Sequence, residues 1–425
     1  MTRVRQLEEL DRDELAVLCR EYLLAGQLMD RAGMPHLISR YGRDEMGTIA
    51  IEEWMGASPI YTKRVQQLLG YSGDTIDTMF KGLQLDIGAP PEFMDFRLKV
   101  IDDTHGEFWL DHCGALMDVE PMGDDYVQTM CHTIEDPTFD ATAIATNRRA
   151  RIRPIHRPPR APADRHPHCH WTATIDETVE PLPDPTEAVE IMRTLLAASP
   201  VAEFEPAGEG WQDYSAPMDP DLRLEKFSKS ALVALAREIA TQSHLLTMSL
   251  TASVRRRHGA DDAVEIGSRH FAGSVGLTSE RLRDALGFDR SIAGLAQVIE
   301  LHPAFHPRSY VDVAVDLDEG DDTLRLELRP CAALDEPDQH NWLTLLVAGA
   351  DDAISTMVQG VDLHYRAERI DASPGSIGSW RVWRADEAAK ESSDVALTRF
   401  STGSTFEFSE TPVQLGQPAA RNSIA

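Results

Sequence analysis

Leu15-Ala-Val-Leu-Cys-Arg-Glu21 returns 217 residues later as Leu232-Val-Ala-Leu-Ala-Arg-Glu238. Tyr61-Thr-Lys-Arg-Val-Gln-Gln-Leu-Leu-Gly-Tyr71 returns at the same offset as Thr278-Ser-Glu-Arg-Leu-Arg-Asp-Ala-Leu-Gly-Phe288. One offset shared by two segments 46 residues apart predicts an internal duplication. Residues 96–113 resemble 310–331 in the same way, and Cys113-Gly-Ala-Leu is echoed by Cys331-Ala-Ala-Leu. Duplicated units that once paired about a two-fold axis keep that self-complementary contact, so the copies are expected to pack as an intrachain pseudo-dimer.

Within the first copy, Asp11 with Glu14 has the capping-box spacing, and Leu15, Leu18, Cys19, Tyr22 and Leu23 recur at helical intervals, predicting a helix over 11–33. Further helices are expected over 44–55, from 58 or 61 to 69 before Gly70, and over 76–85. From residue 93 the texture changes to short alternating runs at 96–101, 106–110, 151–155 and 171–175, the pattern of half-buried antiparallel strands. A helix over 124–133 would lie between them. The fold class is therefore α+β: two homologous copies, each a helical layer followed by a mostly antiparallel sheet. The boundaries read as 1–177 for the first repeat, 178–227 for a Pro- and acid-rich linker with one helix over 187–198, 228–410 for the second repeat, and 411–425 for a flexible tail.

The chain has 425 residues, 42% of them hydrophobic, enough for ordinary cores in two or three domains. No apolar run approaches the roughly 18 residues that span a bilayer, and the start of the chain has the character of neither a secretion signal nor a transit peptide. Five cysteines, an odd number, fit thiols or metal better than a disulfide framework, and the expected compartment is cytoplasmic. A net charge of −29 repels phosphate backbones and acidic membrane surfaces. The partners expected are thus a small-molecule substrate, with no nucleic acid and no membrane; a homo-oligomer is left open. The arginines at 148, 149, 151, 153, 157 and 160 are expected to pair with the protein's own acids or a small anion.

Chemistry concentrates between residues 111 and 171. Asp111-His-Cys113, Met130-Cys-His-Thr-Ile-Glu-Asp-Pro137 and His166-Pro-His-Cys-His-Trp171 carry three of the five cysteines, and His105, His112, His132, His156, His166, His168 and His170 fall in or beside this stretch. Thiolate and imidazole bind zinc, iron and similar cations. The candidate ligands are Cys113, Cys131 or His132, and Cys169, completed by His170 or His168. Adjacent Cys131 and His132 point apart on either a helix or a strand, so one of them would stand behind the other's bond to the ion. Buried thiols beside solvent-facing histidines are the plainer alternative. The second copy has an apolar run at 345–350 in place of Met130-Cys-His, which predicts one ion per chain.

The order Asp111-His-Cys-Gly-Ala-Leu-Met117, Met130-Cys-His-Thr-Ile-Glu-Asp-Pro137, an Arg-rich strand over 148–153, and His166-Pro-His-Cys-His-Trp171 resembles the L-2-amino-thiazoline-4-carboxylate hydrolase-like family. The family shows a cysteine after a strand, a second cysteine motif followed by an acid, and a closing Cys-x-aromatic. Here Cys113 is followed by Gly114 where the family commonly has Pro-Tyr. The resemblance covers about residues 95–176 and implies a metal-dependent hydrolase acting on a small C–N or thiazoline-type bond. A divalent zinc or iron would lower the pKa of bound water. Glu135 or Asp136 would orient or deprotonate that water, and an arginine of the run, represented by Arg151, would hold a substrate carboxylate. A variant uses Cys113 as nucleophile with His132 as its base. The rival class is an iron–sulfur or structural-zinc protein serving as a redox or small-molecule-binding module.

Overall fold

The structure is a computed structural model describing residues 4–408 except 319, 321, 338–340 and 402; the tail expected at 411–425 lies outside the described residues. It is α+β. The first half runs α1 (Arg12–Tyr41), α2 (Arg43–Leu68), α3 (Ile76–Gln84), β1 (Met94–Val100), β2 (His105–Cys113), α4 (Gly114–Val119), α5 (Asp124–Gln128), a π-helical turn (Thr129–Ile134), α6 (Glu135–Ile144), β3 (Ala150–His156) and β4 (Cys169–Ile175). Short helices α7 (Thr186–Ile191) and α8 (Leu195–Ala198) occupy the connection. The second half runs α9 (Lys229–His258), α10 (Ala260–Leu286), α11 (Ile292–Glu300), β5 (Val313–Asp318), β6 (Thr323–Leu328), α12 (Trp342–Val347), α13 (Asp352–Val361), β7 (Tyr365–Ile370), β8 (Gly378–Arg384) and α14 (Ser393–Phe400). Among the described residues no helix is long and apolar enough to cross a membrane.

The local signals explain the starts and corners. Asp11 and Glu14 form the expected capping box, with Glu14 N donating to Asp11 Oδ1 at 2.8 Å and Asp11 N to Glu14 Oε2 at 2.9 Å. Ser228 caps α9 by accepting from Ala231 N. Gly42 (φ +86°) and Gly259 (φ +97°) each turn one long helix straight into the next, a conformation that side chains resist. Both sheets are antiparallel and have the same strand order, β1-β2-β4-β3 and β5-β6-β8-β7. Each packs one face on helices: in the first, Ile76, Met79, Phe80 and Leu83 recur at helical spacing on α3 and bury against Phe108 and Trp171.

Three expectations about helices are corrected. Helix α1 continues through Pro35 to Tyr41, and the two helices expected over 44–55 and up to 69 are one, α2, which passes through Pro59. An interior proline costs about 3 kcal/mol. Met46, Ile49 and Ala50 before Pro59, and Ile60, Tyr61 and Val65 after it, are all buried, and that packing outweighs the cost. The helix expected over 187–198 breaks instead into α7 and α8, because Thr194 takes an extended conformation and caps Ala197.

Helices α1, α2, α9 and α10 form the centre of the molecule, α1 packing on α9 and α10, and α2 on α9. The largest apolar core takes residues from both halves. Buried ion pairs lock this layer. Arg281 of α10 binds Glu21 of α1 at 2.7 Å and also Glu92, while Arg64 of α2 binds Glu238 of α9 through two hydrogen bonds at 2.8 and 2.9 Å. A bidentate guanidinium fixes angle as well as distance. Removing one partner strands the other's charge, so Arg64→Met should cost about 3–5 kcal/mol in urea unfolding, and Arg64→Met with Glu238→Leu should recover much of it. A single variant as stable as the wild type would show that the pair does not hold the helices.

Candidate functional site

The segment rich in Cys and His folds around the end of the first sheet. Cys113 ends β2 and caps α4, its Sγ accepting from Leu116 N at 3.4 Å. Cys169 opens β4 opposite Leu110. Cys131 lies in the π-helical turn. That turn replaces the end expected for a helix over 124–133, since the chain stays helical into α6 and Pro137 sits in α6's first turn, where its missing N–H is tolerated. All three thiols are buried in one core, close enough that charge on Cys113 would raise the other two and charge on Cys169 would raise Cys131. Burial pushes Cys113 up to about 12 and holds Cys131 and Cys169 well above the ordinary thiol range, with Glu135 adding to each.

The histidines do not join them. His170 follows Cys169 on a strand and so points to the opposite face, where its Nε2 meets Glu107 Oε2 at 3.0 Å. His132 Nε2 bonds the carbonyl oxygen of Pro158 at 2.7 Å. His168 is buried, and burial lowers it to about 4. Among the described residues no three His, Cys, Asp or Glu side chains are grouped as a metal would require.

The arginines are committed to the protein's own groups. Arg148 pairs with Asp184, Arg149 with Glu177, Arg153 with Asp140, Arg157 with Asp136 and Arg160 with Glu120. Arg151 donates to the backbone carbonyls of Arg148, Ala150 and Glu180. Asp136 is half-exposed beside Arg157. Its neighbour Glu135 points elsewhere, one residue being about 100° of helix.

Glu135 lines a cavity of about 110 Å³ between the helical layer and the first sheet. Its Oε2 is shielded from solvent without a hydrogen-bond partner, and burial raises its pKa to about 8 against the opposing pull of Arg157. Two more carboxyls share the wall. Asp30, from α1, accepts from Trp54 Nε1 at 3.0 Å, and burial lifts it to about 6. Asp86, just after α3, accepts from Tyr61 Oη at 2.8 Å and Gly88 N at 2.7 Å and is likewise lifted to about 6. The approach that brings Asp86 here needs Gly26, because a Cβ there would stand 2.4 Å from Ile87. Beside Asp30, Glu53 is fully buried with both carboxyl oxygens unpartnered, and burial first, then the Asp30 charge, hold it well above the carboxylate range. Gln27, Trp54, Phe96, Phe139 and Met130 also line the cavity.

Of these residues only Glu135 was legible as a candidate in the sequence. The signal for Asp30 was an acid inside Leu23-Leu-Ala-Gly-Gln-Leu-Met-Asp-Arg-Ala-Gly-Met34, and for Glu53 an acid next to an inward-facing Trp54; both need the helix faces known first. No family model, curated protein or solved structure matches the chain.

The pH dependence has a definite sign. A Glu135 that titrates near 8 when folded and near the ordinary 4.3 when unfolded binds its proton more tightly in the folded state. Its stabilisation is complete below about pH 4 and is lost as pH rises towards 8. Glu135→Gln should match the wild type in urea midpoint near pH 4 and exceed it at pH 8, with a melting temperature higher there by several degrees. Parallel pH curves for the two proteins would show that Glu135 is not held neutral.

Proposed function

We propose that the cavity in the first half is the working site of a small-molecule hydrolase that cleaves a C–N bond, with Glu135 as its acid–base group. The observation that carries this reading is a carboxyl tuned to about 8 with a solvent-shielded, unpartnered oxygen on the wall of a cavity, since proton transfer is most efficient when the group's pKa lies near working pH. Glu135 takes the proton of a water as the water oxygen adds to the carbon of an amide or amidine. The same proton then passes to the departing nitrogen, the C–N bond breaks, and ammonia or an amine leaves with Glu135 ionised as at the start. The resemblance noted in the sequence agrees on the reaction class and on Glu135. It differs on the metal and on the arginine, for which the arrangement offers no support.

We also infer that the halves are a tandem duplication packed as an intrachain pseudo-dimer. Its support is reciprocity at the 217-residue offset. Glu21–Arg281 is answered by Glu238–Arg64, Arg40–Asp262 by Arg257–Glu45, and Tyr41–Asp262 by His258–Glu45. Tyr41 and His258, counterparts of each other, stack at 3.7 Å and 9°, as residues on a two-fold axis do. The sheets repeat a further motif: Asp136–Arg157 over Trp171, and Asp351–Arg369 over Trp380.

The duplication bears on function because the cavity's acids are not repeated. His244 stands at the counterpart of Gln27, His270 at that of Glu53, and His302, two residues after α11, at that of Asp86, two residues after α3. Burial keeps all three histidines neutral, and they pack around Trp342 and Phe305. The second half serves to complete the helical layer.

Ammonia release from a panel of small amidines and amides, measured for the wild type and Glu135→Gln, tests the proposal. Loss of about 10²–10⁴-fold in the variant is expected, with Cys331→Ala unchanged. Full activity in Glu135→Gln would overturn the assignment. One equivalent of zinc or iron that disappears in Cys113→Ala and Cys169→Ala would instead favour the metal reading.

A further inference from the structure

We infer that the ligand of this cavity is a compact organic cation, an amidinium or primary ammonium on a small apolar body. The inference rests on the cavity being the working site, as proposed above, and adds the chemistry of what enters it.

The argument is a count of donors and acceptors. The wall contains no Lys, Arg or His among the described residues. Its side-chain donors are engaged: Trp54 Nε1 with Asp30, Gln27 Nε2 with Asp30 at 3.4 Å, Thr138 Oγ1 with the carbonyl of Ile134, and Thr142 Oγ1 with Ser58. Its acceptors are in surplus. Gln27, only 3% exposed, leaves Oε1 without a partner, and so does Glu135 at Oε2. Behind the wall, next to Asp30, Glu53 is 0% exposed and adds no donor that reaches Gln27 or Glu135. Buried polar atoms are rarely left unsatisfied, because each costs about 1–3 kcal/mol. Bare acceptors without a matching donor call for a ligand that supplies N–H groups. Burial of several carboxyls with no internal counter-charge calls for that ligand to be positive, since its charge would offset the cost of ionising them.

The remaining wall sets the rest of the ligand. Trp54, Phe96 and Phe139 contribute aromatic rings, whose π-systems attract cations, and Met34, Met94 and Met130 contribute adaptable apolar surface. A volume of about 110 Å³ admits a body of one small ring or a short alkyl chain. A carboxylate on the ligand would meet like charge with no arginine within the wall.

Three probes of nearly one shape separate the possibilities: benzamidinium, neutral benzamide and anionic benzoate, titrated calorimetrically into the full chain at pH 8, with n-butylammonium as a slimmer cation. Benzamidinium or n-butylammonium should bind at least tenfold more tightly than benzamide, and benzoate should not bind. Asp30→Asn and Glu135→Gln, which keep shape and remove charge, should each weaken the cation at least tenfold while leaving the fold intact by circular dichroism. Equal binding of benzamide or benzoate, unaltered cation binding in both variants, or binding of neither cation would overturn the inference. Cation binding without turnover of any amidine or amide would leave it standing and remove the hydrolase reading alone.

Discussion

The rest of the structure depends on two desolvated Arg–Glu contacts between the halves, Arg281 with Glu21 and Arg64 with Glu238. A charge taken out of water must find its counter-charge in good geometry, and a guanidinium fork accepts few arrangements. Two such contacts therefore set both the crossing and the register of α1, α2, α9 and α10. The outer pairs, Arg40 with Asp262 and Arg257 with Glu45, are more exposed and add less. Each sheet then hangs from a helical layer whose shape it does not itself decide.

That layer also makes the cavity. Asp30 on α1, Trp54 on α2 and Asp86 after α3 come together because the first two helices are held apart on one side and Gly26 lets the third segment in on the other. The fourth wall comes from the first sheet's own connection, where a π-helical turn carries Met130 and Ile134 and delivers Glu135. Such turns often mark functional sites, since they spend a regular hydrogen-bond pattern on re-aiming side chains. The raised carboxyls follow from this enclosure. Low local polarity penalises their charged forms, and Arg157, the basic side chain that acts on Glu135, is paired with Asp136.

The clustering of cysteine and histidine is the instructive case. The three thiols do meet, because strands β2 and β4 pair Leu110 with Cys169 and the π-helical turn returns Cys131 to the same core. His170 leaves for Glu107 on the opposite face, and His132 and His112 for backbone carbonyls, while His168 is buried apart from them. Adjacency along a chain works against adjacency in space whenever the element has a period of 2 or 3.6. A motif such as Cys169-His170 thus advertises one ligand at most. The arginine run behaved as charge patterning suggests, each basic group finding an acid or a carbonyl of its own chain.

The amino-acid order alone determined the α+β class, the four strands of the first sheet to within a few residues, the capping of α1 and the 217-residue recurrence, because all of these are written in local periodicity and in residues a few positions apart. It also offered Glu135, together with Asp136, as the acids that follow Cys131. Only the tertiary structure decided that α2 runs through Pro59, that Arg64 seeks Glu238, and that Asp30 and Asp86 line one cavity with Glu135. The physical reason is the same in each case. Burial is a property of the whole packed layer, and a carboxyl's charge, a proline's cost or a thiol's reactivity takes its value from what surrounds it, which no window of sequence contains.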